Sequence, residues 1–165
     1  MKKEELRNVP TKNYIILGIV LLVSLGLVYY FHLWFKAYNE NELSNRIMDK
    51  YMDNINYNEL DNYLVENNNS IIYVSVLNDK EIRDFEKKFK SLFRKKKIIH
   101  NVLYMDVTND MLEFNYKYSN INVPAIMIFV DGKLSIAYKI DPSDYDLNEI
   151  KDYINDAFRE SELND

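Results

Sequence analysis

The sequence contains no cysteine, and this is its most decisive absence. Without a thiol, the chain supplies no disulfide, no thiolate nucleophile, no cysteine metal ligand and no thiol redox step of its own. It has only two histidines, His32 and His100, and only three glycines and three prolines. It has neither a glycine-rich phosphate loop nor a nucleophile elbow. We therefore expect no enzymatic activity, no metal and no cofactor.

Charge is divided unevenly along the chain, whose formal net charge is −5. Residues 1–36 carry five basic and two acidic residues, and the other 16 basic and 24 acidic residues give the remainder a charge of −8. Domains that bind nucleic acid present a basic face. The acidic remainder therefore argues against a nucleic-acid partner.

Residues 14–35 form an apolar run without formal charge. As a helix this run reaches about 33 Å, enough to cross a hydrocarbon core of about 30 Å. Aromatic residues flank the run as they do at membrane interfaces: Tyr14 before it, and Tyr29, Tyr30, Trp34 and Phe35 at its far end. A cleaved signal peptide has a shorter apolar region followed by small residues. The pattern instead predicts one uncleaved transmembrane helix and a single-pass protein of the cell membrane.

Basic residues on the two sides of this run indicate its orientation. Basic residues are counted within about 15–20 residues of each end of the run. Four precede it and three follow it: Lys2, Lys3, Arg7 and Lys12, then Lys36, Arg46 and Lys50. This small excess predicts that the helix is a signal anchor, with tail 1–13 in the cytoplasm and the C-terminal domain outside it. Gly18 and Gly26 share one helix face and would permit helix–helix contact. A homo-oligomer therefore stays an open alternative.

Residues 36–56 are predicted to be a helical stalk or linker. Leu43, Ile47, Tyr51 and Ile55 fall at intervals of four and form a narrow apolar stripe over residues 37–56. Such a stripe packs on the following domain, on a second copy or on a partner helix, and the sequence leaves these alternatives open.

The following pattern predicts one α/β domain over residues 57–160, with a short tail at 161–165. The predicted strands are a short one at 56–58 and longer ones at 71–76, 102–107, 125–130 and 134–138. The predicted helices are 59–66, a helix capped by Asn78 or Asp79, 110–118 and 144–160. This order predicts a central mixed sheet with helices on both faces.

Residues 122–133 resemble the thioredoxin segment in which a cis-proline opens a strand and an Asp-Gly turn closes it. Residues 70–89 resemble the strand and the active-site helix of the same superfamily. The resemblance covers about residues 55–160 and implies a thioredoxin-like three-layer α/β/α fold. Within the superfamily, the chain is similar to membrane-anchored proteins of the bacteriocin-transport-accessory type from low-GC Gram-positive bacteria.

The resemblance also implies where the redox apparatus has been lost. The pair Phe85-Glu86 sets the register, so that residues 79–82 occupy the Cys-x-x-Cys slot, with Asp79 and Ile82 in place of the two cysteines. The buried acid that assists proton transfer in many thioredoxins would fall near Tyr73, where the sequence has no acid. The expected result is a domain retained for its shape.

One part of the ancestral site is expected to survive around Pro124. In thioredoxins, the residue before the cis-proline exposes backbone groups that pair with a bound peptide as an added strand. The resemblance places Val123 in that position and implies a peptide-binding groove formed by Asn78, Asp79, Asn122, Val123 and Pro124. In the alternative interpretation, Pro124 only shapes the fold.

A cluster of basic residues forms the largest charge feature: Lys87, Lys88, Lys90, Arg94, Lys95, Lys96 and Lys97. One interpretation is a solvated helix end that complements the helix dipole. The other is contact with an anionic surface, such as lipid headgroups, a wall polymer or an acidic partner.

These observations predict a non-catalytic, membrane-anchored, thioredoxin-like domain that binds or scaffolds another envelope protein. Two alternatives remain. The chain is a cysteine-free accessory of a thiol-disulfide or peptide/bacteriocin export pathway, or it is a structural subunit that oligomerises through the stalk or the transmembrane helix.

Overall fold

The computed structural model describes residues 10–95, 98, 101–119 and 121–162, with residues 158–162 described by their backbone alone. The chain divides into two compact units, Met1–Glu42 and Leu43–Asp165.

The first unit consists, in its described part, of helix α1, which spans Thr11–Ser44 and ends just inside the second unit. None of the residues of α1 is buried, and its large apolar side chains from Tyr14 to Tyr38 are all exposed. The helix is long and apolar enough to cross a membrane. An apolar surface of this extent is unfavourable in water, because lipid or another protein would cover it at a gain of about 25 cal/mol per Å².

The second unit contains four helices and a five-stranded sheet in its described part. Its helices are α2 (Leu60–Glu66), α3 (Lys80–Arg94), α4 (Met111–Lys117) and α5 (Leu147–Glu162). Its strands are β1 (Asp53–Asn54), β2 (Ser70–Ser75), β3 (Val102–Asp106), β4 (Ala125–Val130) and β5 (Lys133–Lys139). Short 3-10 turns lie at Met48–Lys50 and Tyr57–Glu59.

The strand order is β1-β3-β2-β4-β5. Strands β1, β3 and β2 are parallel, whereas β4 is antiparallel to β2 and β5 is antiparallel to β4. The sheet is therefore mixed, as the sequence predicts, and β2 lies at its centre.

Alternation along β2 divides the core into two layers. Ile71 and Tyr73 belong to a cluster that includes residues of α3 and α5, whereas Ile72 and Val74 belong to a cluster with residues of α2 and α4. Successive strand residues point to opposite faces, so a central strand covered on both sides must be apolar throughout. The result is a three-layer α/β/α unit with one core on each side of the sheet.

The stalk prediction is wrong beyond Ser44, where α1 ends. Residues 48–55 instead enter the second unit: Met48, Met52 and Ile55 are buried in its core, and β1 pairs with β3. The predicted strand at 56–58 is replaced by the 3-10 turn at Tyr57–Glu59, and the strand lies earlier, at Asp53–Asn54. Burial and strand pairing override a local helical pattern here. The folded unit consequently begins at Leu43 rather than at residue 57.

The other predicted elements occur in the predicted order, with ends shifted by a few residues. The largest shift at a helix start is in α5, which begins at Leu147 rather than at residue 144. The Asp146 carboxylate accepts a hydrogen bond from the Asn148 N–H at 2.7 Å, which is the geometry of a helix cap.

Candidate functional site

The candidate site lies at the end of the strands where β2 and β3 end and β4 begins. This end of the sheet is called the sheet edge. Val74 pairs with Ala125 and Ser75 pairs with Asp106, so these residues lie at one edge of the sheet. Pro124 immediately precedes β4 and therefore lies beside the loop that leads from β2 into α3. The strand register thus brings together the two segments that the sequence predicts to form a groove.

The segment before β4 contains backbone groups that have no hydrogen-bond partner among the described residues. The Val123–Pro124 peptide bond is cis, Pro124 is buried, and its C=O accepts a hydrogen bond from the Ile140 N–H at 3.0 Å. Val123 is half-buried and Asn122 is exposed. Among the residues that the structure describes, neither the N–H nor the C=O of Val123 has a hydrogen-bond partner. These groups are therefore available to an added chain segment.

The loop into α3 is held by a helix cap. Asn78 adopts a positive φ of 64°, a conformation that asparagine tolerates better than most residues. Asp79 is extended, and its Oδ1 accepts hydrogen bonds from the N–H groups of Glu81 at 2.8 Å and Ile82 at 3.1 Å. The cap predicted from the sequence is confirmed at Asp79. Ile82 is buried in the apolar face of α3, with 4% of its surface exposed.

Asp106 links three segments at this edge. Its Oδ2 accepts a hydrogen bond from Nε of Arg46 at 3.1 Å and forms an ion pair with Nη2 of Arg46 at 3.0 Å. Its Oδ1 accepts from the N–H of Thr108 at 2.9 Å and from the Thr108 hydroxyl at 2.6 Å. That hydroxyl in turn accepts the Leu77 N–H at 2.6 Å, which ties the loop before α3 to the end of β3. No sequence motif indicates this network.

Residues 43–46 lie against the start of α3. The Asn78 N–H donates to the C=O of Leu43 at 3.4 Å, and Nη1 of Arg83 donates to the C=O of Asn45 at 2.7 Å. With the Arg46–Asp106 ion pair, these contacts fasten residues 43–46 to the same sheet edge. A helical stalk was predicted here, so sequence reasoning missed these contacts.

A buried acid lies beneath the edge, although no acid stands near Tyr73 in the sequence. Glu86 of α3 is 4% exposed, and its Oε1 accepts hydrogen bonds from the hydroxyls of Tyr73 at 3.1 Å and Ser75 at 2.7 Å. Burial raises the pKa of the Glu86 carboxyl, and the hydrogen bonds from Ser75 and Tyr73 lower it in part. The sequence has no acid near Tyr73, but α3 supplies one to the same region through Glu86. The sequence signal for this buried acid is the position of Glu86 between Phe85 and Phe89, on the apolar face of α3.

Tyr104 extends the buried polar group toward β3. Its ring stacks on that of Tyr73, with centroids 6.0 Å apart. Its hydroxyl is buried and has no hydrogen-bond partner among the described residues. Burial is the main cause that raises the Tyr104 pKa, and the nearby charges of Glu86 and Asp106 raise it further. The buried acid is thus surrounded by neutral hydroxyls rather than by a reactive nucleophile.

These observations define which chemical groups the site contains. It has no thiol, and its buried carboxyl is enclosed by hydroxyl donors. Within the described ranges, no three His, Asp or Glu residues are arranged to hold a metal ion. Asn78, Asp79 and Asn122 are exposed, and Val123 beside them is half-buried.

The predicted basic surface lies on α3, away from its apolar face. Lys87 pairs with Asp84 at 3.0 Å, and this pairing lowers the pKa of the Asp84 carboxyl. The ammonium of Lys88 lies 5.5 Å from the centre of the Tyr145 ring. Lys90 is half-buried, and Arg94 and Lys95 are exposed. Lys96, Lys97 and His100 lie outside the described residues.

Comparison with known proteins defines the fold class. No protein-family profile and no curated protein matches the sequence. Among solved structures, the J-Trx1 fragment of ERdj5 aligns with 68% of this chain at 13% identity and a TM-score of 0.54. This chain spans about half of that fragment, 55% of its length. Thioredoxin from Trypanosoma brucei brucei aligns with 70% of this chain and 99% of its own, at 13% identity and a TM-score of 0.49. Thioredoxin O2 from Arabidopsis thaliana aligns with 66% of this chain and 96% of its own, at 14% identity and a TM-score of 0.46.

Likeness at this level of identity concerns the fold alone. The chain has a thioredoxin-like α/β fold with a mixed five-stranded sheet, preceded by an apolar helix of membrane-crossing length. It has no cysteine, so the fold is present without a thiol redox site.

Proposed function

We propose that this chain is a non-catalytic, membrane-anchored, thioredoxin-like protein that binds another envelope protein at the sheet edge around Val123 and Pro124. The observation that carries the proposal is that the N–H and C=O of Val123 have no hydrogen-bond partner among the described residues, in a fold without cysteine. An extended partner segment would satisfy both groups as an added strand does at a sheet edge. Asn122, Asn78 and Asp79 would border that segment.

The degenerate positions explain why the partner would be held without reaction. Asp79 and Ile82 stand where the resemblance places the two cysteines. The Asp79 carboxylate is engaged by the first turn of α3, and Ile82 is buried. Neither side chain forms a covalent bond with a partner. The proposed complex is therefore reversible and depends on backbone pairing and shape.

Membrane anchoring by α1 is part of the proposal. The exposed apolar side chains of α1 support insertion, and the basic residues before it favour a cytoplasmic N-terminus. In this orientation, the second unit faces the outside of the cell membrane, where partners in the envelope are found. Arg94 at the end of α3 and Lys95 directly after it are exposed and would add contact with an anionic surface.

Site-specific photocrosslinking in cells tests the binding proposal. A photoreactive amino acid at Asn122 should give adducts with one envelope protein, and the same amino acid at Ser135 serves as the control. Ser135 is exposed on β5 and is not part of the proposed groove. Equal adduct patterns from both positions, or adducts from neither, would contradict the proposal.

A thiol measurement discriminates the alternative of an accessory in a redox or export pathway. If the chain holds substrates for a partner that owns the cysteines, its deletion should change the thiol state of at least one envelope protein. Alkylation of free thiols followed by mass spectrometry measures this state across the envelope. We expect no change, and a reproducible change would favour the redox accessory.

Oligomerisation through α1 is the remaining alternative. A Cβ added at Gly18 or Gly26 meets no atom within 4 Å, so these positions are open to a second helix. The stalk is a weaker candidate, because Ile55 is buried and Ile47 packs against the core of the second unit. The mass of the full chain in detergent micelles, compared with that of Gly18→Leu, would detect such an assembly.

A further inference from the structure

A groove on the α2–α4 side of the sheet has the properties of a second binding surface. It lies on the opposite side of the sheet from α3, and its volume is about 580 Å³. It is lined by Tyr57, Asp61, Leu112, Glu113, Tyr116 and Lys117. None of these residues belongs to the edge around Val123, so the groove is distinct from the proposed peptide site.

The rim of the groove exposes two large apolar side chains from one helix face. Leu112 and Tyr116 lie four residues apart on α4 and are 87% and 93% exposed. The floor is firm, because the Tyr57 ring packs edge-to-face on buried Phe114, with centroids 6.1 Å apart. Apolar side chains on a rigid floor are typical of protein contact surfaces.

The charges around the groove are mainly negative. Burial raises the pKa of the Tyr57 phenol, Lys117 lowers it, and the carboxylates of Glu113, Asp61 and Asp110 raise it further. Among the residues that line the groove, Asp61 and Glu113 carry carboxylates and Lys117 carries an ammonium. That ammonium is paired with Asp61, which leaves the charges of Glu113 and Asp110 to act on an incoming group.

The negative charge of the groove favours some binding partners over others. A second copy related by a two-fold axis would place two acidic grooves face to face, which is repulsive. An anionic lipid surface would be repelled by the same carboxylates. A segment that carries apolar side chains next to lysine or arginine complements both the apolar rim and the charge.

We propose that the α2–α4 groove is a docking surface for an amphipathic, basic segment of a partner protein. An apolar side chain of that segment packs between Leu112 and Tyr116, and a lysine or arginine one helical turn away reaches Glu113. This surface shares no lining residue with the edge at Val123.

A peptide titration on the full chain tests this surface. The full chain is held in nanodiscs of zwitterionic phosphatidylcholine, and two labelled helical peptides share one leucine face. One peptide carries lysines beside that face and the other carries glutamates, and empty nanodiscs provide the reference for binding to lipid. We expect the lysine peptide to bind the chain, and the glutamate peptide to bind at least tenfold more weakly.

Three variants assign the binding to the groove. Leu112→Ser should lower the affinity for the lysine peptide by about tenfold, as expected for the loss of one buried leucine contact. Glu113→Lys should remove the preference for lysine over glutamate. Val65→Ser is the matched control, because Val65 is 83% exposed on α2 but does not line this groove, and it should leave binding unchanged.

Several outcomes would overturn the inference. Absence of binding above empty nanodiscs, or equal binding of the two peptides, would exclude a basic occupant. Equal loss of binding in Val65→Ser and Leu112→Ser would show that contact is not localised to the groove. A dimer of the full chain that Leu112→Ser converts to a monomer would identify the occupant as a second copy instead.

Discussion

Removal of the Asp106 carboxylate should loosen the whole sheet edge. In Asp106→Ala, Thr108 loses the acceptor for its N–H and its hydroxyl, and Arg46 loses its ion-pair partner. The Thr108 hydroxyl is then free to rotate away from the Leu77 N–H that it now accepts. The perturbation therefore spreads from the end of β3 to the loop before α3 without any change in the apolar core.

The size of the effect follows from burial. The Asp106 side chain is 5% exposed, and a hydrogen bond to a charged group contributes about 1.5–3 kcal/mol net. Two such bonds from Thr108 are lost, but Thr108 is only half-buried, so water recovers part of the energy. The Arg46 side chain is 41% exposed, which limits its ion pair to about 0–1 kcal/mol. We expect Asp106→Ala to lower the free energy of unfolding by about 3 kcal/mol and Asp106→Asn, which keeps an acceptor, by about 1 kcal/mol.

Two measurements on the full chain in detergent micelles check this prediction. Urea unfolding followed by circular dichroism gives the change in free energy, and Asp53→Ala is the control because Asp53 is exposed on β1. Amide hydrogen exchange should show faster exchange at Leu77 in Asp106→Ala than in the unaltered protein. A loss below about 1 kcal/mol in Asp106→Ala, or unchanged exchange at Leu77, would refute the described network.

Three further predictions concern α3. Burial raises the pKa of the Glu86 carboxyl above its ordinary value of 4.5, so the folded protein binds this proton more tightly than the unfolded chain does. The resulting stabilisation is complete below about pH 4.5 and is lost as the pH rises through the raised pKa. Glu86→Gln should remove this loss, which is measured as the free energy of unfolding at a series of pH values. The same dependence of that free energy on pH in both proteins would contradict the prediction. Asp79→Ala should cost about 1 kcal/mol and speed amide exchange at Glu81 and Ile82, whereas Asp79→Asn should preserve most of the cap. Ile82→Ala should cost about 3 kcal/mol in urea unfolding because a cavity forms under α3, and a cost no larger than that of exposed Val65→Ala would argue against its burial.

The central part of the fold could be predicted because its signals are local. Strand β2 is a β-branched run bounded by turn residues, and α3 combines a cap at Asp79 with an apolar face at helical spacing. By contrast, the segment after Ser44 has an apolar pattern that a helix would also show. Its true structure depends on pairing between Asp53 and Leu103, which no local pattern encodes.

The candidate site shows the same division between local and distant information. The segment around Pro124 and the cap at Asp79 carry a motif and a short-range signal, so both could be predicted. The bond between Arg46 and Asp106 joins residues 60 positions apart. Glu86 was missed because an acid within an amphipathic helix is normally exposed, and its partners Tyr73 and Ser75 come from a different element.

The most direct test of binding through the Val123 backbone is the crosslinking yield from Asn122 in two variant backgrounds. Val123→Thr keeps the N–H and a similar side-chain shape, whereas Val123→Pro removes the N–H donor. Amide exchange of β4 in each variant verifies that the fold is retained. Our account predicts an unchanged yield of the envelope-protein adduct in Val123→Thr and loss of the adduct in Val123→Pro. Equal yields in the two folded variants would contradict it.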